Sequence, residues 1–186
     1  MSRIPRLRPD DLDESQQRLY AAIVGDRKDG AVAALPLVDD DGHLAGPFNA
    51  MLLNPDLGMA LQQLGTAVRY RGELSPRSRE LAILAVAAAW RCQFELDAHS
   101  VIGEGVGLSA AEMAATRDDK PVRLPDDEET AVLVATRTLV RNADLAQDEY
   151  DSAAAVLGPA KLFELSTLVG YYSLLALQMR IFDVGR

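Results

Sequence analysis

From residue 50 onward, apolar residues recur at three- and four-residue spacing almost without a break. No stretch alternates apolar and polar positions as a half-buried strand would. The pattern predicts an all-α chain folded as an antiparallel helical bundle. Its first helix is expected at about 12–24, after the start signal Pro9-Asp10-Asp11 and before Gly25. A loop of roughly twenty residues follows, rich in Gly, Asp and Pro and containing VDDDGHLAGPFN; loops of that length are more often functional or interface-forming than idle. Asn54-Pro55-Asp56 supplies a cap with proline at the first helical position and opens a helix to about residue 70.

Ser75-Pro76 repeats the device, and the helix it opens, PRSRELAILAVAAAW, is apolar nearly all round and dense in alanine. Such a helix suits a central place, packed on several sides at close backbone distance. The next helix is expected at about 91–106, closed by Gly107, and Ser109-Ala-Ala-Glu112 has the form of a capping box that starts a short one. Arg117 to Asp127, with two prolines, reads as a loop and an internal boundary within one domain spanning 1–186. Helices are then expected at about 127–142, 147–156 and 159–182, the acidic run Asp126 to Glu129 forming a solvated first turn.

Composition narrows the possibilities. A 186-residue chain with 48% hydrophobic content can bury a substantial core. A net charge of −9, with no clustered Lys/Arg face, argues against nucleic acid as a partner. One cysteine cannot form an intramolecular disulfide, so a reducing cytoplasm is the simplest compartment. The N-terminus lacks the apolar region of a signal peptide. The most apolar tract, LSTLVGYYSLLALQMRIFDV, carries Gln178, Arg180, Asp183 and two tyrosines, which favours a buried core helix over a membrane span.

The stretch CQFELDAH gathers a thiol, two carboxylates and one of two histidines within eight residues. At about 100° per residue, Cys92, Glu95 and His99 share a stripe of a continuous helix. Gln93, Asp97, Ser100 and Glu104 form a separate polar arc, which leaves Glu95 and His99 among apolar residues. A buried carboxylate needs a partner, and Glu95 and His99, four apart, can serve each other. The bland alternative is a plain ion pair, as Cys92 is alternatively a small buried hydrophobe. Glu80, twelve residues before Cys92 on an otherwise apolar face, is either a first-turn residue answering the helix dipole or a second carboxylate converging on His99. In the latter case the three form a proton relay.

These residues resemble the carboxymuconolactone decarboxylase family, which also holds the AhpD-like alkylhydroperoxidases. The likeness runs from GPFNAMLLNPDLGMALQQLGTAVRY through RELAILAVAAAWRCQFELDAHSVIGEGVGLSAAEM, residues 46 to about 115, with R-E-L-A-I-L, F-E-x-x-x-H and G-L-S as its markers. In the peroxidase branch a glutamate precedes by twelve residues a C-x-x-C pair, and a histidine lies four beyond the second cysteine. Glu80, Cys92 and His99 match three of these positions, and Glu95 occupies that of the second cysteine. Without it, the disulfide of that cycle cannot form, whereas Phe94-Glu95-Leu-Asp-Ala-His99 is similar to the decarboxylase-like branch. The resemblance implies an AhpD-like bundle completed by oligomerisation, commonly as trimers or hexamers, and no tightly bound metal or organic cofactor.

The leading expectation is therefore a cofactor-independent lyase or isomerase acting on a small carboxylated or lactone-like metabolite. His99 and Glu95 would handle protons at carbon, and Glu80 would tune or relay. The GPFN segment with Phe48, Trp90 and Tyr172 would shape the pocket. Tyr171 is a further aromatic candidate, and Arg91 or Arg71 could pair with a substrate carboxylate. His43 reads as solvent-exposed, on a loop that could reach a pocket at a subunit interface. Alternatives are thiol redox chemistry through Cys92, metal binding by Glu80, Cys92, Glu95 and His99, and a non-catalytic oligomeric binding protein.

Overall fold

The structure, a computed structural model, describes residues 2–25 and 36–184. Among them the fold is all-α: a 3₁₀ turn (Pro9–Asp11) precedes eight helices, α1 (Glu14–Gly25), α2 (Pro47–Met51), α3 (Pro55–Tyr70), α4 (Pro76–Ala89), α5 (Gln93–Gly105), α6 (Ala110–Arg117), α7 (Asp127–Asn142) and α8 (Gln147–Phe182). The β pairing among these residues is one isolated antiparallel bridge between Val38 and Leu44. Residues 26–35 of the long loop lie outside the described residues. Its C-terminal part was expected to be irregular throughout, yet Pro47 and its neighbours form α2, a single turn too short for a periodicity to register.

The caps act as the sequence indicates. Asn54 accepts from the Leu57 amide at 3.2 Å, Ser75 from Ser78 at 3.0 Å, and Ser109 and Glu112 close a reciprocal capping box. Each satisfies an amide that a helix leaves without an internal partner. Inside α8, Gly158 takes φ 70 and Pro159 follows, so the helix breaks where two helices were expected.

Helix α4 is central. It touches α5, α6, α7 and α8, and every residue from Glu80 to Ala87 is buried. Its alanines allow this close approach, and its leucines and Ile83 each remove about 1.5–3 kcal/mol worth of apolar side chain from water. The inner face of α8, including Leu165, Leu168, Tyr172, Leu175 and Met179, closes the main core. Leu81, Leu84, Leu108 and Met113 form a smaller cluster where α4 meets α6.

Acidic side chains fix the turn that starts α4. Glu164 of α8 accepts from the Glu73 amide at 2.6 Å, and Glu128 of α7 accepts from Ser75 N at 3.2 Å and Ser78 Oγ at 3.1 Å while pairing with Lys161. Glu129 is not the solvated residue expected. It is 4% exposed and bonded to Arg77 Nε at 2.6 Å, because Arg77 reaches across from α4 to Glu129 and to Glu112 of α6.

Candidate active site

Glu80 sits one turn into α4, where it is 5% exposed, and His99 (3%) and Glu95 (5%) lie on the inner face of α5. The α4–α5 packing brings the three together. Glu80 Oε2 lies 2.6 Å from His99 Nδ1, and Glu95 Oε2 lies 3.2 Å from Nε2. The imidazole is held between two carboxylates, one from each helix. Its edge also meets the Tyr172 ring at right angles, centroids 5.2 Å apart, and Tyr171 meets Tyr172 in the same way at 5.3 Å.

This geometry decides the charge of His99. Burial disfavours imidazolium, but the charge and hydrogen bond of Glu80, followed by the hydrogen bond and charge of Glu95, outweigh it and raise the pKa from 6.5 to about 9. At neutral pH both ring nitrogens therefore donate. With no ring lone pair free, His99 is a poor metal ligand in this arrangement, and no group of three His, Cys, Asp or Glu poised for a metal occurs among the described residues.

Cys92 is placed differently from expectation. It does not share a helical stripe with Glu95 and His99, because α4 ends at Ala89 with Trp90 as its C-cap and α5 begins only at Gln93. Arg91 takes a left-handed φ of 53°. Cys92 N bonds back to Ala87 O at 2.8 Å and Arg91 N to Ala88 O at 3.0 Å, which together terminate α4. This cap is normally glycine, so an arginine there gave no sign of a break. Cys92 becomes the N-cap of α5, buried at 5% exposure and next to Glu95. Burial pushes its thiol pKa up, and the amides of Glu95 and Phe94 only partly oppose this.

The expected pocket residues divide. Tyr172 is buried against His99, and its phenol is pushed well above the usual range by burial despite the charge of Arg69. Phe48 and Trp90 are half-buried at the edge of the main core. His43 is neither exposed, as expected, nor joined to the triad: it is half-buried and bonded through Nδ1 to Asp39 at 3.0 Å, which also pairs with Arg6. Arg71 and Arg91 are exposed. The arginine whose charge acts on Glu80, Glu95 and Tyr172 is Arg69, in the last turn of α3. Its number gives no hint of this, since α3 reaches the site only through tertiary packing; the one clue was an arginine beside the buried Val68 in an apolar stripe.

Phe94 is positioned by a glycine. Gly46, at φ 55, lies so near its ring that a Cβ would stand 2.4 Å from it, so α2 and its entry turn press directly on the first turn of α5.

Residues 55–136, which carry Glu80, Cys92, Glu95 and His99, match the Carboxymuconolactone decarboxylase family. No curated protein matches the chain. Among solved structures, the apo debrominase Bmp8 superposes with a TM-score of 0.72 at 15% identity, covering 96% of this chain and 89% of that one. A cysteine-to-alanine variant of Bmp8 in complex with 2,3,4-tribromopyrrole gives 0.73 at 13% identity, covering 99% and 92%. At these identities the shared property is the fold.

Proposed function

We propose that this chain, whose residues 55–136 match the Carboxymuconolactone decarboxylase family, is a cofactor-independent lyase or isomerase for a small carboxylated or lactone-like metabolite. The observation that carries the reading is the buried Glu80–His99–Glu95 relay. Because both imidazole nitrogens face carboxylates, Glu95 and not His99 is the group that exchanges a proton with substrate. His99 supplies or withdraws charge behind it, and Glu80 holds the imidazolium.

Loss of carbon dioxide from such a substrate leaves an electron pair that the lactone carbonyl or a keto group takes up as an enolate. Glu95 takes the Nε2 proton of the His99 imidazolium and delivers it to carbon, leaving a neutral imidazole that solvent reprotonates; isomerisation uses the same carboxylate first as base. The Arg69 guanidinium acts on the same carboxylates and favours an anionic substrate or enolate in this site. Trp90 and Phe48, half-buried against the main core, are the aromatic residues this reading assigns to the pocket wall. Exposed apolar side chains on α8 and α3, such as Phe163, Leu177, Ile181 and Leu57, support assembly into a homo-oligomer.

The test is turnover of carboxymuconolactone in deuterium oxide, followed by NMR. Wild-type protein should release carbon dioxide or exchange a carbon-bound hydrogen, and Glu95→Gln should lower the rate by roughly 10²–10⁴. A rate unaffected by Glu95→Gln overturns the reading.

A second reading rests on Cys92 standing beside Glu95 and on the likeness to Bmp8, whose cysteine variant binds a brominated pyrrole. In it the thiol attacks a halogenated or peroxidic substrate. With one cysteine in the chain, an external thiol must then close the cycle. The raised Cys92 pKa weighs against it, and slow alkylation by iodoacetamide at pH 7 would count further against it.

A further inference from the structure

On the side of α4 where α6 and α7 meet it, a cavity of about 310 Å³ lies in front of Ala85, Ala88 and Ala89. Four arginines line it: Arg91 from the α4–α5 turn, Arg117 from the end of α6, and Arg137 and Arg141 from α7. In a chain of net charge −9 this is a local concentration of the opposite sign.

Two of the four have structural duties. Arg137 pairs with Asp119 at 2.9 Å and bonds the carbonyls of Ala115 and Lys120, both at 3.0 Å, and Arg141 lies 3.6 Å from Asp119. The other acid on the rim, Asp118, pairs with Lys120 at 2.7 Å. Arg91 and Arg117 form no ion pair among the described residues. Thr116 adds a third free donor: it lines the cavity at 2% exposure, and its buried hydroxyl has no hydrogen-bond partner.

A buried hydroxyl without a partner and two guanidiniums outside any close ion pair, of which Arg117 also acts through its charge on Asp118, leave donors on this cavity to be matched by an acceptor. The last carbonyls of α4 and α6, on the elements that line the cavity, are already bonded. Ala87 and Ala88 accept from Cys92 and Arg91, and Ala114 and Ala115 from Asp118 and Lys120. The groups left over on the cavity wall are therefore donors, which suits an oxyanion. Its volume is at the lower end of ligand sites, about 300–1,000 Å³, which suits a small molecule.

We propose that this cavity is a binding site for a small dianion, a phosphorylated or dicarboxylate metabolite, held by Arg91, Arg117 and the Thr116 hydroxyl. It is separate from the Glu80–His99–Glu95 relay. It lies against the turn that delivers Cys92, since Arg91 directly precedes that residue.

The experiment is isothermal titration of the full chain, at constant ionic strength, with inorganic phosphate, pyrophosphate and succinate in turn, and sodium chloride as control. Saturable one-to-one binding of at least one of the three is expected. Tighter binding of the phosphates marks a phosphorylated ligand, and tighter binding of succinate a dicarboxylate. Arg91→Gln and Arg117→Gln should each weaken it by about tenfold or more, the loss of one charge-assisted contact. Thr116→Val should weaken it by a smaller factor. The two arginines are exposed, so their variants should keep the wild-type circular dichroism and thermal midpoint and decide the question even if Thr116→Val perturbs the core. Absence of binding, heats that chloride reproduces, or affinities unchanged in both arginine variants overturn the proposal.

Discussion

Arg77 and Glu80 lie one turn apart on α4, and each anchors an ionic cluster of two carboxylates around one cation, the first half-buried and the second buried. Arg77 is held by Glu129 at 2.6 Å and Glu112 at 2.8 Å, and it also bonds the Gly107 carbonyl. His99 is held by Glu80 at 2.6 Å and Glu95 at 3.2 Å. Arginine does not give up its proton at any pH the fold survives, so the first cluster can only join α4, α6 and α7. Imidazole can give up its proton. The second cluster therefore keeps a titratable cation between two bases, and only it has the parts for proton transfer. Two sites with nearly the same geometry thus differ in use because one pKa is reachable and the other is not.

Substitution should separate them cleanly. The largest expected effect is on chemistry: Glu95→Gln should cost about 10²–10⁴ in turnover while leaving the thermal midpoint near wild type, because an amide still fills the space. Arg77→Met should do the reverse. It strands the buried Glu129, and stability should fall by about 3–5 kcal/mol in urea unfolding. His99 in that variant should titrate as in wild type. Equal effects of both substitutions on both readouts would erase the distinction.

The pH dependence sharpens it. The folded pKa of His99 is raised to about 9 from 6.5, so its protonated form is favoured by folding. The resulting stabilisation is fully present below about 6.5 and is lost as pH rises through about 9. Urea midpoints should fall across that window in wild type and fall less in Glu80→Gln. NMR titration of His99, assigned with His43→Gln, should show the raised value directly. Arg69→Met should move it higher still, since removing a nearby positive charge favours the imidazolium.

The smallest expected effect is at Cys92. Cys92→Ala removes one buried sulfur and should lower stability by about 1–2 kcal/mol while leaving carboxymuconolactone turnover in place. Abolished turnover would move the thiol reading ahead of the proton reading.

The sequence by itself determined the all-α fold, because three-to-four spacing and the Asn54, Ser75 and Ser109 caps are local signals that survive packing. It also marked Glu80, Glu95 and His99, since charged groups among apolar neighbours on one helical face stand out in one dimension. It did not show that Cys92 leaves that helix, because the break is made by a left-handed arginine where a glycine would have announced it. Other decisions belonged to the tertiary structure alone. Glu129 looked like one of four equivalent acids until Arg77, 52 residues earlier, reached it. Arg69 joined the site only when α3 packed beside it, and the arginine-lined cavity required α4, α6 and α7 to meet. The reason is common to all three: helix propensity and capping act over a few neighbouring residues, whereas the pairing of a buried charge depends on which distant side chain the fold brings within about 4 Å.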